Sequence, residues 1–166
     1  MLKLYEIFEY NDLTDEELYS IKAYTAMGGE LERKFPLKST SMKVINKVIN
    51  NSTISSPELF RKIDITEKEH QSLWDRWYDD ERIDVTFNTF QSFTTDKVRS
   101  STYGGYGERS IVYKIPKGTT IQGMGISDIS VYPEENEYLV GSDNEFVVTD
   151  WDWDSSGKSV LTIEKI

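Results

Sequence analysis

The hydrophobic pattern changes period partway along the chain, and that change predicts the fold class. Between residues 11 and 51 the apolar positions recur at helical spacing. Thr14-Asp15-Glu16-Glu17 reads as a capping box, with Thr14 as N-cap and Glu17 three residues on. Leu18, Ile21 and Thr25 supply the stripe that follows, and Gly28-Gly29 ends it. A second helix is expected from Thr40 or Ser41, with Val44, Ile45, Val48 and Ile49 on one face and Asn50-Asn51 as its close. A third runs from about Glu67 to Asp80 and carries Leu73, Trp74 and Trp77. His70 lies in it as a half-buried or surface histidine.

From Ile83 onward the period is two. Residues 84–87, 90–93, 110–115, 145–148 and 160–163 read as strands, and Pro116-Lys117-Gly118 is a turn. Helices followed by strands predict an α+β fold rather than a doubly wound sheet. No repeat or linker interrupts the chain, so a single domain over 1–166 is expected, helical over about 1–80 and β-rich over about 83–166.

Composition narrows the function classes. Nineteen Lys and Arg against 29 Asp and Glu give a net charge of −10, which disfavours a binder of nucleic-acid phosphates. With no cysteine and one histidine, thiol nucleophiles, Cys-ligated zinc and His clusters are excluded, and no metal is expected. No apolar run has the length of a membrane span or signal segment, so a cytoplasmic protein with no membrane partner is expected.

Four stretches could carry chemistry. Glu58-Leu59-Phe60-Arg61 is a short apolar strand ending in an arginine fork suited to a pyrophosphate. Phe90-Gln91-Ser92-Phe93-Thr94-Thr95 puts hydroxyls on a strand edge. Ser101-Thr102-Tyr103-Gly104-Gly105-Tyr106-Gly107 is a glycine-rich loop with aromatic faces, and neither a P-loop nor a dinucleotide fingerprint. In Tyr132-Pro133-Glu134-Glu135-Asn136-Glu137, strand alternation would set Glu135 and Glu137 on one face. Two carboxylates so placed suit a guanidinium or an oxocarbenium ion. Each stretch taken singly is also compatible with a purely structural role.

Their order is more specific. An aromatic-Arg pair, Ser-x-Thr 31 residues later and Glu-x-Glu 43 residues beyond Ser92 together resemble the arginine-specific mono-ADP-ribosyltransferases of the binary-toxin and tailed-phage type. Ile21-Lys22-Ala23-Tyr24-Thr25 resembles that family's early helix, and Val112 to Thr119 its strand and turn before the last motif. The likeness covers roughly residues 14–150. Lys62 after the arginine and Phe93 inside Ser-x-Thr depart from the family's usual pattern.

The resemblance implies N-terminal helices packed on a mixed β-core of two small sheets, with an NAD cleft between them. It implies ADP-ribose transfer from NAD, as co-substrate, to an arginine of a protein, with release of nicotinamide. Arg61 and Lys62 would hold NAD, Ser92 would orient Glu137, and Thr94 would buttress the strand. Glu137 would stabilise the oxocarbenium ion, and Glu135 would receive the acceptor guanidinium. Tyr132 would meet the protein substrate, and Tyr103 would lie against nicotinamide. A monomeric phage or bacterial effector acting on a host protein in the host cytoplasm is the expected setting. An NAD glycohydrolase and an inactive binding module are the alternatives.

Overall fold

Thr14 begins the first described helix, α1 (Asp15–Ala26), by a reciprocal exchange. Its hydroxyl accepts from Glu17 N and its own amide donates to Glu17 Oε1, each at 3.1 Å, which satisfies two amides that the first turn would leave unpaired. The computed structural model describes residues 12–97 and 109–166. Past the helix, Gly28 turns the chain with φ +72°, a conformation that glycine adopts without steric cost. The second helix, α2 (Ser41–Asn50), lays Ile45, Val48 and Ile49 against Ile21 of α1. The third, α3 (Glu67–Tyr78), is capped by the Thr66 hydroxyl, which accepts from Glu69 N at 3.0 Å.

Among the described residues, nine strands follow or interleave with these helices. They are β1 (Thr53–Ser55), β2 (Leu59–Ile65), β3 (Asp84–Val85), β4 (Gln91–Thr94), β5 (Arg109–Ile115), β6 (Thr120–Gly125), β7 (Glu137–Val140), β8 (Phe146–Trp153) and β9 (Ser159–Lys165). Their order across the sheet is β1-β6-β7-β4-β2-β5-β9-β8-β3. All neighbours are antiparallel except β5 and β9, which makes the sheet mixed. The α+β architecture expected from the change of period is the one observed. The two small sheets are a four-strand and a five-strand portion of one curled sheet, joined where β2 meets β4 through the pair Phe60–Thr94.

Two main cores support the sheet, and the larger one draws on both portions, taking Phe93, Ile121 and Val140 from the four-strand side. The α1 and α2 helices cover the four-strand portion, where Ile21, Ile45 and Ile49 meet Met124, Ile126 and Leu139. The larger core holds Leu59, Phe93, Ile111, Phe146, Trp151 and Leu161, with Trp74 and Trp77 of α3 packed against it.

Three local expectations are corrected. Besides the short strand expected at residues 58–61, which runs on to Ile65 as β2 near the middle of the sheet, a second strand, β1, lies within the first eighty residues. Strand β6 was not expected from its sequence. Thr120-Ile121-Gln122-Gly123-Met124-Gly125 holds two glycines, which weaken a strand by themselves, yet a side chain at Gly125 would collide with the Tyr138 ring of β7. His70 is buried rather than half-exposed: its Nε2 lies 2.9 Å from Ser159 Oγ, and its ring meets Trp151 edge-on at 5.7 Å.

Candidate active site

Arg61 lies in β2 beside the junction of the two sheet portions, and its Nη1 donates to the Ser92 carbonyl across it at 2.8 Å. Ser92, in β4, turns its hydroxyl to Glu137 and donates to Oε2. Glu137 opens β7, the antiparallel partner of β4, where it pairs with Thr94. Three residues far apart in sequence thus form one chain of contacts, guanidinium to serine backbone and serine hydroxyl to carboxylate. Thr94 is buried, and its hydroxyl donates to the Glu135 carbonyl at 2.9 Å while accepting from Asp96 N at 3.1 Å. It ties β4 to the turn that carries Glu135.

That turn corrects the strand-alternation argument for Glu135 and Glu137. Glu135 ends a 3-10 turn (Pro133–Glu135), Asn136 adopts a left-handed conformation with φ +48° and ψ +47°, and only then does β7 begin. The two carboxylates are brought together by a turn, not by strand pleating. Both nevertheless line the same cavity, of about 530 Å³, together with Arg61, Lys62, Ser92, Thr94 and Tyr132. Tyr132 rests against Gly29 on the α1 side, where a side chain would strike its hydroxyl. Tyr103 lies outside the described residues.

The electrostatics follow from burial. Glu137 is 8% exposed. Desolvation pushes its carboxyl above the usual range, repulsion from Glu135 adds to this, and the Ser92 hydrogen bond and Arg61 oppose it. Burial also pulls the Arg61 guanidinium below its ordinary value, against Tyr24 and Glu137. Arg61 Nε and Glu137 Oε1 are buried with no hydrogen-bond partner among the described residues. A buried donor and a buried acceptor left open on one cavity fit a polar, charge-bearing ligand. Among the described residues, no group of three acidic, histidine or cysteine side chains could hold a metal ion.

No protein-family model and no curated protein matches the sequence. Solved structures do match the fold. Plx2a, an ADP-ribosyltransferase toxin from Paenibacillus larvae, superposes with a TM-score of 0.67 at 17% identity, over 97% of this chain and 90% of its own. The ADP-ribosyltransferase HopU1 of Pseudomonas syringae gives 0.65 at 20% identity, over 98% and 81%. An ADP-ribosyltransferase from Clostridium botulinum gives 0.63 at 17%, over 97% and 92%.

This chain has the ADP-ribosyltransferase fold. Within that fold, the cavity gathers residues to which the sequence pattern assigns no role. Tyr24 of α1 lines it with Thr25, Met27, Gly28 and Gly29. Burial first, and then Glu137, push the Tyr24 phenol up to about 12, while Arg61 opposes the shift. The Tyr24 ring meets Phe90 edge-on at 5.1 Å. The only sequence signal for it is its place in the early helix, one turn past Ile21. A tyrosine there reads as core, because helical spacing does not tell which end of a buried side chain meets a cleft.

Proposed function

We propose that this protein is a mono-ADP-ribosyltransferase that moves ADP-ribose from NAD to an arginine side chain of a protein and releases nicotinamide. The observation that carries the reading is the contact chain Arg61–Ser92–Glu137 facing one cavity with Glu135, on a fold that its structural neighbours share. Arg61, with Lys62 beside it, holds the phosphates and ribose of NAD, for which a planar fork is suited. Ser92 fixes the Glu137 carboxylate.

The bond between ribose C1′ and the nicotinamide nitrogen breaks, and its electron pair leaves with neutral nicotinamide. The positive charge left on the ribose is stabilised by Glu137, preorganised by its burial and its hydrogen bond from Ser92. A guanidinium nitrogen of the acceptor then bonds to C1′, and the proton it sheds passes to Glu135. A guanidinium is a poor nucleophile because its pKa exceeds about 12, so a carboxylate at that place is a requirement of the chemistry. The structural neighbour Vis is solved with agmatine, itself a guanidinium compound, which supports this acceptor class. Tyr132, at the cavity wall, meets the protein substrate. The setting we assign is a monomeric phage or bacterial effector acting on a host protein in the host cytoplasm. The neighbour XopAI, a type III effector, supports the effector part.

The test is NAD labelled in its adenylate moiety, incubated with the purified chain and either agmatine or a bacterial lysate. Wild type is expected to label both acceptors. Glu135→Gln should lose labelling yet keep releasing nicotinamide, whereas Glu137→Gln should lose both. Nicotinamide release by wild type with no label on any acceptor would make the protein an NAD glycohydrolase. Folded wild type that leaves NAD intact would make it a binding module.

A further inference from the structure

Helix α2 does more than cover the small core. Asn46, half-buried near its middle, points its carbonyl oxygen at the entry to one strand and at the turn that leaves another. Oδ1 accepts from Phe90 N at 3.2 Å and from Ser142 Oγ at 3.2 Å. Phe90 is the residue before β4, and Ser142 lies two residues past the end of β7. One turn on, Asn50 Nδ2 donates to the same Ser142 hydroxyl at 3.1 Å, and its Oδ1 accepts from Asp143 N at 3.0 Å. The helix is itself fixed, because Ile45, Val48 and Ile49 are packed with Phe90 and Leu139.

The ladder that this oxygen closes is short. Strands β4 and β7 share four pairs, from Gln91–Val140 at the Asn46 end to Thr94–Glu137 at the site end. At the site end Thr94 holds the Glu135 carbonyl. Ser92 and Glu137 lie diagonally across this ladder, so the distance between hydroxyl and carboxylate depends on how far one strand slides along the other. A single carbonyl that fills its two acceptor positions from the residue that leads into β4 and from the turn that leaves β7 fixes that offset.

We propose that Asn46 is a positioning residue that sets the offset of β4 against β7 and so holds the Ser92 hydroxyl on Glu137. The catalytic part of this inference rests on the reading of Glu137 as the group that stabilises the ribose cation. Without Asn46 Oδ1, the Phe90 amide loses its acceptor and the two strands lose their shared anchor. Misplacement of a reacting group by fractions of an ångström lowers turnover more than binding.

The experiment compares Asn46→Ala, Asn46→Asp and Ser142→Ala in the full chain, with three readouts. These are melting temperature, the titration of the Glu137 carboxyl followed by carbon NMR, and kcat and KM for NAD cleavage. Asn46→Ala should raise the Glu137 titration midpoint, because the hydrogen bond from Ser92 is the larger of the two influences that lower it, Arg61 being the other. It should cut kcat about tenfold and leave the KM for NAD within about twofold. Asn46→Asp keeps an oxygen that can accept both donors, and should restore the midpoint and most of kcat. Ser142→Ala removes one donor and leaves the helix intact, so it should shift the midpoint less and in the same direction, and it serves where Asn46→Ala fails to fold. A wild-type Glu137 titration and kcat in folded Asn46→Ala or Ser142→Ala overturns the proposal. So does a failure of Asn46→Asp to restore them. If wild type cleaves no NAD, the proposed function falls, and the NMR titration still decides whether Asn46 holds Ser92 on Glu137.

Discussion

A carboxyl that is buried beside another carboxyl resists ionisation, and Glu137 is in that position. Its pKa is higher in the folded chain than in the unfolded one, so folding tightens its hold on a proton. The stability it contributes is full below the unfolded value and is lost as pH rises through the folded one. Glu137→Gln should therefore melt above wild type at pH 7, and the gap should close as pH falls below about 4. Scanning calorimetry across pH checks this. The same variant should lose at least about a hundredfold in the rate of nicotinamide release, as losses of preorganised charge do elsewhere. If Glu137 stabilises the ribose cation as proposed, the ionised form is the working one, and wild-type activity should fall on an acid limb placed above the usual carboxylate range. Stability and activity then oppose each other at one residue. A burial that costs stability is what gives the carboxylate its leverage on a cation.

At the scale of elements, the turn before β7 decides how the two glutamates meet. Asn136 holds a left-handed conformation that costs an ordinary side chain roughly 1–2 kcal/mol and that glycine and asparagine tolerate. Asn136→Gly should leave stability near wild type, whereas Asn136→Val should lose about 1–2 kcal/mol in urea denaturation. Asn136→Val should also lower arginine labelling more than nicotinamide release, because Glu135 sits on the turn and Glu137 on the strand. The cap at Thr14 is legible in the sequence because its signal is local, four residues long and tied to one reciprocal hydrogen-bond pattern, whereas for Glu135 and Glu137 the spacing is legible but the turn that brings them together is not. Strand β6 is not, because the tyrosine ring that fills the space over Gly125 comes from another strand.

For the whole molecule, the junction of the sheet portions is where fold and site coincide. Strands β2 and β4 share the pair Phe60–Thr94, and Arg61 adds its side-chain bond to the Ser92 carbonyl. The residue assigned to NAD is therefore also a cross-link between the halves. Arg61→Ala should cost about 1.5–3 kcal/mol of stability, the range for a hydrogen bond made by a charged group, with an unchanged urea m-value. It should also weaken NAD binding, measured by calorimetry at a temperature where the variant is folded. Arg61→Lys keeps the charge without the fork, and should recover more of the stability than of the affinity.

The sequence alone determined what depends on neighbours along the chain. It set where α1 starts, through Thr14 and Glu17, and where helical spacing gives way to alternation near Ile83. It also set the order of an arginine, two hydroxyls and two carboxylates. Only the tertiary structure decided which of these meet. Arg61, Ser92 and Glu137 come together because β4 lies between β2 and β7, a strand order that no local period encodes. The same holds for Tyr24, which reaches the cavity from a helix at the other end of the chain, and for Asn46, whose two partners lie 44 and 96 residues away. Periodicity fixes which side of an element is apolar. The contacts of a polar atom within that side are set by packing between elements, and that is where the site is made.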